Sequence, residues 1–133
     1  MKKLELKHLA PYLPYGLVMR YTKDGRPFRG TKKNEVLTIQ NIELLMFSQF
    51  RLPILRPLSD LTKEIEIDGK RFVPIEKICK TVYQQNKVLF SINNLIEGVT
   101  GIYYYQVEKL FEWHFDIFGL IEKNLAIDIN TLK

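Results

Sequence analysis

Leu52-Pro53-Ile54-Leu55-Arg56-Pro57-Leu58-Ser59-Asp60 marks a change of character in this chain. The two prolines hold 52–58 extended. Ser59 suits a helix N-cap, with Asp60 in the first turn of the short helix it opens. Charge changes at the same place. Residues 1–58 carry 11 Lys or Arg against 4 Asp or Glu, a net +7, whereas 59–133 carry 9 against 11, a net −2. A polyanion is drawn to the first part and not to the second.

Upstream, the signals are those of short strands. Pro11, Pro14 and Gly16 stop regular structure. Leu17 to Tyr21 reads as a strand, and Asp24-Gly25 is a strong hairpin signal. Residues 26–34 read as loop, and Glu35 to Gln40 as a second strand. Ile42 to Phe50 fits a strand, but Ile42, Leu45, Met46 and Gln49 are also helically spaced. Turns at this frequency predict a small antiparallel barrel, SH3-like in size, over about residues 15–58.

Downstream, Glu64-Ile65-Glu66-Ile67, Asp68-Gly69 and Lys70-Arg71-Phe72-Val73 predict a tight hairpin with both isoleucines on one face. Pro74 fits a first helical position, and Ile75, Ile78, Cys79 and Val82 predict an amphipathic helix over 74–85. Lys87 to Ile92 reads equally as strand or helix. The aromatic-rich stretch from Tyr103 to Glu122 predicts one long helix, with Asn124 as a left-handed cap and Leu125 to Ile129 as a terminal strand or docking tail. The expected fold is α+β, a single folding unit over 1–133. A basic β-rich part fills 1–58, and 59–133 holds a hairpin and helices packed against it.

Length and composition exclude several classes. A hydrophobic share of 46% and a charged share of 26% suit a folded chain with a real core. No apolar run approaches the ~18 residues that span a bilayer. The first residues lack the apolar centre of a secretory signal. Cys79 is the single cysteine, so no internal disulfide forms and a cytosolic setting is expected. His8 and His114 complete a soft-ligand stock too small for a zinc site. Gly-x-Ser-x-Gly and phosphate-binding glycine loops are absent. No catalytic residue, metal or cofactor is assigned, and a non-enzymatic protein is expected.

Two constellations carry binding chemistry. Arg20, Lys23, Arg26, Arg29, Lys32 and Lys33 fall within fourteen residues, interleaved with Tyr21 and Phe28 and opposed only by Asp24. Cations among aromatics hold phosphate while a ring stacks on a base, so nucleic acid or a nucleoprotein is one partner class and an acidic protein surface another. The bland alternative is a solvated hairpin whose charges protect a sheet edge. The second constellation is aromatic. Tyr103, Trp113 and Phe115 lie outside the Tyr104–Val107–Phe111–Phe118 stripe, and either pack under the β-rich part or form a patch for a host or phage protein. A small acid/base hydrolase is a remote third reading, which requires carboxylates converging in a cleft.

Three stretches also resemble a known family. They are Leu6-Lys7-His8-Leu9-Ala10-Pro11-Tyr12-Leu13-Pro14-Tyr15-Gly16-Leu17, Pro53 through Ile65, and Glu112-Trp113-His114-Phe115-Asp116 through Glu122 to Leu125-Ala126-Ile127-Asp128-Ile129-Asn130. Together they are similar to small uncharacterised proteins carried by bacteriophages and prophages of gut-type bacteria. The resemblance implies a phage origin and the cytoplasm of a bacterial host. It brings no activity, cofactor or catalytic residue. An antagonist of host defence, anti-CRISPR-like, is one form that a nucleoprotein-binding phage protein takes.

Overall fold

The computed structural model describes residues 4–21, 34–47, 51–93 and 104–132. Its element order is α1 (Leu6–Leu9), a 3-10 turn (Ala10–Tyr15), β1 (Val18–Tyr21), β2 (Asn34–Val36), α2 (Ile42–Phe47) and β3 (Arg51–Leu55). A second 3-10 turn (Leu58–Thr62), β4 (Ile65–Ile67), β5 (Lys70–Phe72), α3 (Pro74–Ile78), α4 (Val82–Asn93) and α5 (Tyr104–Glu112) follow. The chain then runs to β6 (Ile127–Asp128) and a final 3-10 turn (Ile129–Leu132). The class is α+β.

One sheet has the order β2-β1-β3-β6. β1 is antiparallel to both β2 and β3, and β3 is parallel to β6. The second sheet is the β4-β5 pair alone. Neither closes, so no SH3-like barrel is formed among the described residues. The reason lies at β3. Its second neighbour is a strand from far downstream instead of another hairpin arm. Ile54 stands beside Ile127 and Leu55 beside Asp128.

The Asp68-Gly69 hairpin forms as the local sequence dictates. Ile67 pairs with Lys70 across two residues of positive φ, Asp68 at 53° and Gly69 at 79°. That pair of left-handed residues matches the twist of the strands it joins. The upstream hairpin differs. A two-residue turn at Asp24-Gly25 would set Arg20 against Arg29, but Arg20 pairs with Asn34. Asp24-Gly25 itself lies outside the described residues. Ile42 to Phe47 is helix, resolving the ambiguity there in favour of helical spacing.

Three helix boundaries differ from the periodicity. The turn after β3 starts at Leu58 with Pro57 in the cap position and no side-chain cap bond, so Ser59 lies inside it. The helix expected over 74–85 is two helices, because Cys79 is extended (φ −131°, ψ 130°). Thr81 then restarts the chain: its Oγ1 accepts from the Gln84 N–H (3.2 Å) while Gln84 Oε1 accepts from the Lys80 N–H (2.9 Å). This is close to a capping box, and it carries residues 87–92 into α4 as helix. Lastly, α5 stops at Glu112 instead of Glu122. His114 adopts φ 61°, the Phe115 N–H donates to the Leu110 carbonyl and the His114 N–H to the Phe111 carbonyl. Those two bonds are the Schellman pattern, with histidine where glycine is usual. The same pattern recurs at Asn124 (φ 61°), where Leu125 and Asn124 donate to Leu120 and Ile121.

Two apolar clusters form the interior. The first joins Leu9, Tyr12, Met19 and Leu55 to Leu120 and Ala126. The second joins Leu61, Ile65, Ile78 and Val88 to Leu110 and Phe115. Phe111 packs against both. Each cluster buries side chains far apart in sequence. Truncating one of their buried leucines, such as Leu55 or Leu110, to alanine costs about 2–5 kcal/mol.

Candidate functional site

Of the basic segment, Arg20 and Tyr21 belong to the described residues. Arg20 is half-buried near the end of β1, opposite Asn34 on one side and Leu52 on the other. Tyr21 is buried, with the Arg51 guanidinium 5.4 Å from its ring centroid. Its alternation with Met19 turns it inward, so the ring is packed and does not offer a face to a base. Lys23, Arg26, Phe28, Arg29, Lys32 and Lys33 lie outside the described residues. Their two anchor points are known. Because Arg20 pairs with Asn34, residues 22–33 leave and rejoin the sheet at the same end. Five cations against one carboxylate give those twelve residues a net +4.

The aromatic candidates separate. Phe115 is fully buried in the second cluster, and its backbone pairs with Arg56 in an isolated parallel bridge. It is core and takes no part in an exposed patch. Trp113 is half-buried, tilted on Phe72 at 5.0 Å with the Lys109 ammonium 5.9 Å from its ring. Tyr103 lies outside the described residues. Exposed apolar groups occur elsewhere, Ile39 and Leu44 among them, and on α4 Tyr83 (77% exposed) and Phe90 (70%) lie two turns apart with Val82.

Arg56 organises a cleft that sequence patterns do not mark. Its backbone is pinned on both sides, the N–H donating to the His114 carbonyl (2.7 Å) and the carbonyl accepting from Asp116 (2.8 Å). Its side chain is 7% exposed and passes over the Phe115 ring, Cζ lying 6.0 Å from the centroid. Among the described residues, Nε is buried with no hydrogen-bond partner, and no carboxylate forms an ion pair with the guanidinium. Burial lowers its pKa, and nearby Asp60 opposes that shift. Asp60 is itself buried, with Oδ2 accepting from Asn130 Nδ2 at 2.9 Å and Oδ1 lying 3.7 Å from Lys63 Nζ. Glu64 and Glu66 stand beyond, each exposed and about 4 Å from Arg71. The cleft enclosed by these groups has a volume of about 480 Å³.

This cleft meets the minimal condition for the hydrolase reading, since three carboxylates line it. Asp60 accepts from the Asn130 amide and lies 3.7 Å from the Lys63 ammonium, and the two exposed glutamates lie about 4 Å from Arg71. Among the described residues, no His, Cys, Asp and Glu groups converge as metal ligands. One buried cation, Arg56, lines this polar recess.

The other titratable candidates are structural. His114 Nε2 lies 2.7 Å from the Tyr15 carbonyl, and burial holds its pKa below the usual value against that bond. Cys79 is buried and its thiol pKa is raised by burial, as suits core packing. Asp116 does not share a helix face with Glu112, because the helix has ended. Its carboxylate instead accepts from the Leu120 and Ile121 N–H groups at 2.8 and 2.9 Å. No family model, curated protein or solved structure matches the chain.

Proposed function

We propose that this chain is a non-catalytic binding protein that contacts nucleic acid or a nucleoprotein through residues 20–33. One observation carries the reading. The β1–β2 register sets Tyr21 and Asn34, which flank a segment of net +4, at one end of the sheet, and this supports a local concentration of charge there. Phosphate contacts need such a concentration. Tyr21 drops out as a stacking ring, and Phe28 is left in that role. The resemblance to phage and prophage proteins supports a setting in which the partner is a host nucleoprotein, with antagonism of host defence as one form.

The test is fluorescence anisotropy with single-stranded and duplex oligonucleotides at 50–200 mM salt. If Arg26, Arg29, Lys32 and Lys33 each neutralise a phosphate, affinity falls about a hundredfold across that range. Replacing all four with alanine flattens the dependence. Salt-insensitive binding, or binding that survives the quadruple change, overturns the proposal.

A protein-contact reading is favoured by a different observation, the exposed Tyr83 and Phe90 on α4. It shifts the expected patch from Trp113 and Phe115 to another helix. Loss of a captured protein on Tyr83→Ser with Phe90→Ser, with oligonucleotide binding intact, would favour it. In either case no hydrolytic turnover is expected.

A further inference from the structure

We propose that the cleft beside Arg56 binds a small zwitterion, a carboxylate carrying an ammonium group a few bonds away, as amino acids do. The proposal uses residues separate from 20–33, so either can fail alone.

The argument starts from the cost of Arg56. A guanidinium taken out of water without a paired anion is destabilising by several kcal/mol, and an apolar side chain of similar size packs as well or better. Arg56 is nevertheless 7% exposed, with Nε unpartnered among the described residues. Position is not left to chance. Two backbone hydrogen bonds to residues 114 and 116 fix its Cα, and Phe115 lies under the guanidinium. Arg56 lines the cleft, and because its Nε is buried the proposed ligand sits on the Nη end of the guanidinium. A planar fork held this way matches a carboxylate.

Asp60 does not complete the fork. Its oxygens go to Asn130 and Lys63, and no ion pair joins it to Arg56. It does set the sign of the ligand. Arg56, Lys63 and Arg71 line the recess together with Asp60, Glu64 and Glu66. A dianion such as phosphate meets three carboxylates along with its cations. A single carboxylate on Arg56, followed by an ammonium group toward Glu64 and Glu66, meets opposite charge at both ends. Those glutamates hold Arg71 at only 4.0 and 3.9 Å, a loose engagement from which either can turn. The volume of about 480 Å³ accommodates an amino acid.

The experiment is NMR titration of the intact chain, observing the Arg56 Nε–H resonance directly. The probes are glycine, glutamate, lysine, acetate and inorganic phosphate. A saturable shift of that resonance by at least one amino acid, stronger than with acetate or phosphate, is expected. Arg56→Lys keeps the charge but loses the fork, and should weaken binding about tenfold or more. Arg56→Met should abolish it with the fold retained. No saturable shift with any amino acid up to about 10 mM overturns the proposal. So does tighter binding of phosphate, or undiminished binding by Arg56→Met. The wild-type titration decides the matter even if that variant does not fold.

Discussion

Asp116→Ala is expected to destabilise the fold by about 3 kcal/mol. The carboxylate is 5% exposed and accepts from two backbone N–H groups, Leu120 at 2.8 Å and Ile121 at 2.9 Å. Both belong to the single turn that Asn124 closes, and neither has a helical carbonyl four residues back to replace Asp116. A buried donor left without a partner costs about 1–3 kcal/mol. Leu120 is fully buried and takes the upper part of that range, whereas Ile121 is half-buried and recovers some hydration. Part of the loss is returned, because burial already penalises the charged carboxylate enough to raise its pKa despite the two bonds. Asp116→Asn keeps one acceptor and removes the charge, so about 1 kcal/mol is expected. The assay is urea unfolding followed by circular dichroism at pH 7. With a slope near 1.5 kcal/mol/M, the alanine midpoint falls by about 2 M. A midpoint within about 0.3 M of wild type, or an asparagine variant as unstable as alanine, would refute the reasoning.

Gly69→Ala should cost about 1–2 kcal/mol in the same assay. Nothing lies within 4 Å of the added Cβ, so the loss reports backbone strain at φ 79° alone; a neutral result would mean that the turn rearranges. Asn124→Gly should be neutral or stabilising by up to about 1 kcal/mol, and Asn124→Val destabilising by at least as much, since φ is 61° there. Stability should also fall on mild acidification. Burial lowers the pKa of both His8 and His114, so the fold favours their neutral rings. Their contribution is complete above the ordinary value of 6.5 and is lost as pH falls from there through the lowered folded values. Asp116, raised, works in the opposite sense just above the ordinary carboxylate range. Thermal melts between pH 7 and 5 check this, and His114→Asn should flatten the slope.

Local sequence carried the parts of this fold that are decided locally. Asp68-Gly69 sits between alternating strands, and Pro74 opens a helix one residue after them. Each needs only its neighbours. Thr81-x-x-Gln84 was equally legible as a helix start, and the apolar spacing of Ile75, Ile78, Cys79 and Val82 hid it. The stop at His114 had no glycine to announce it, and the apolar residues beyond it continue a helical pattern. What breaks that pattern is tertiary, because Arg56 captures the backbone on either side of Phe115. The Arg56 cleft was hidden for the same reason. Arg56 reads as a strand-terminal arginine between prolines, and Asp60 as a first-turn carboxylate. Only the folded chain brings Asn130 onto Asp60 and leaves Arg56 Nε buried without a hydrogen-bond partner among the described residues. The basic segment was conspicuous from the outset because charge density is additive along a sequence, but the inward turn of Tyr21 needed the strand register.

The parallel pairing of β3 with β6 sets an order of events for a chain emerging from the ribosome. Tyr12 donates to the Phe115 carbonyl across 103 residues, and Asn130 reaches Asp60 across 70. Closing loops of that length costs entropy before any contact repays it, so folding belongs with the slower topologies, on the millisecond-to-second scale. Until Ile127 has been synthesised, the outer edge of β3 has no strand beside it. A nascent chain paused short of Leu120 holds three strands with Met19 and Leu55 incompletely covered. That intermediate, more than the finished protein, is the form open to pairing with another copy of itself.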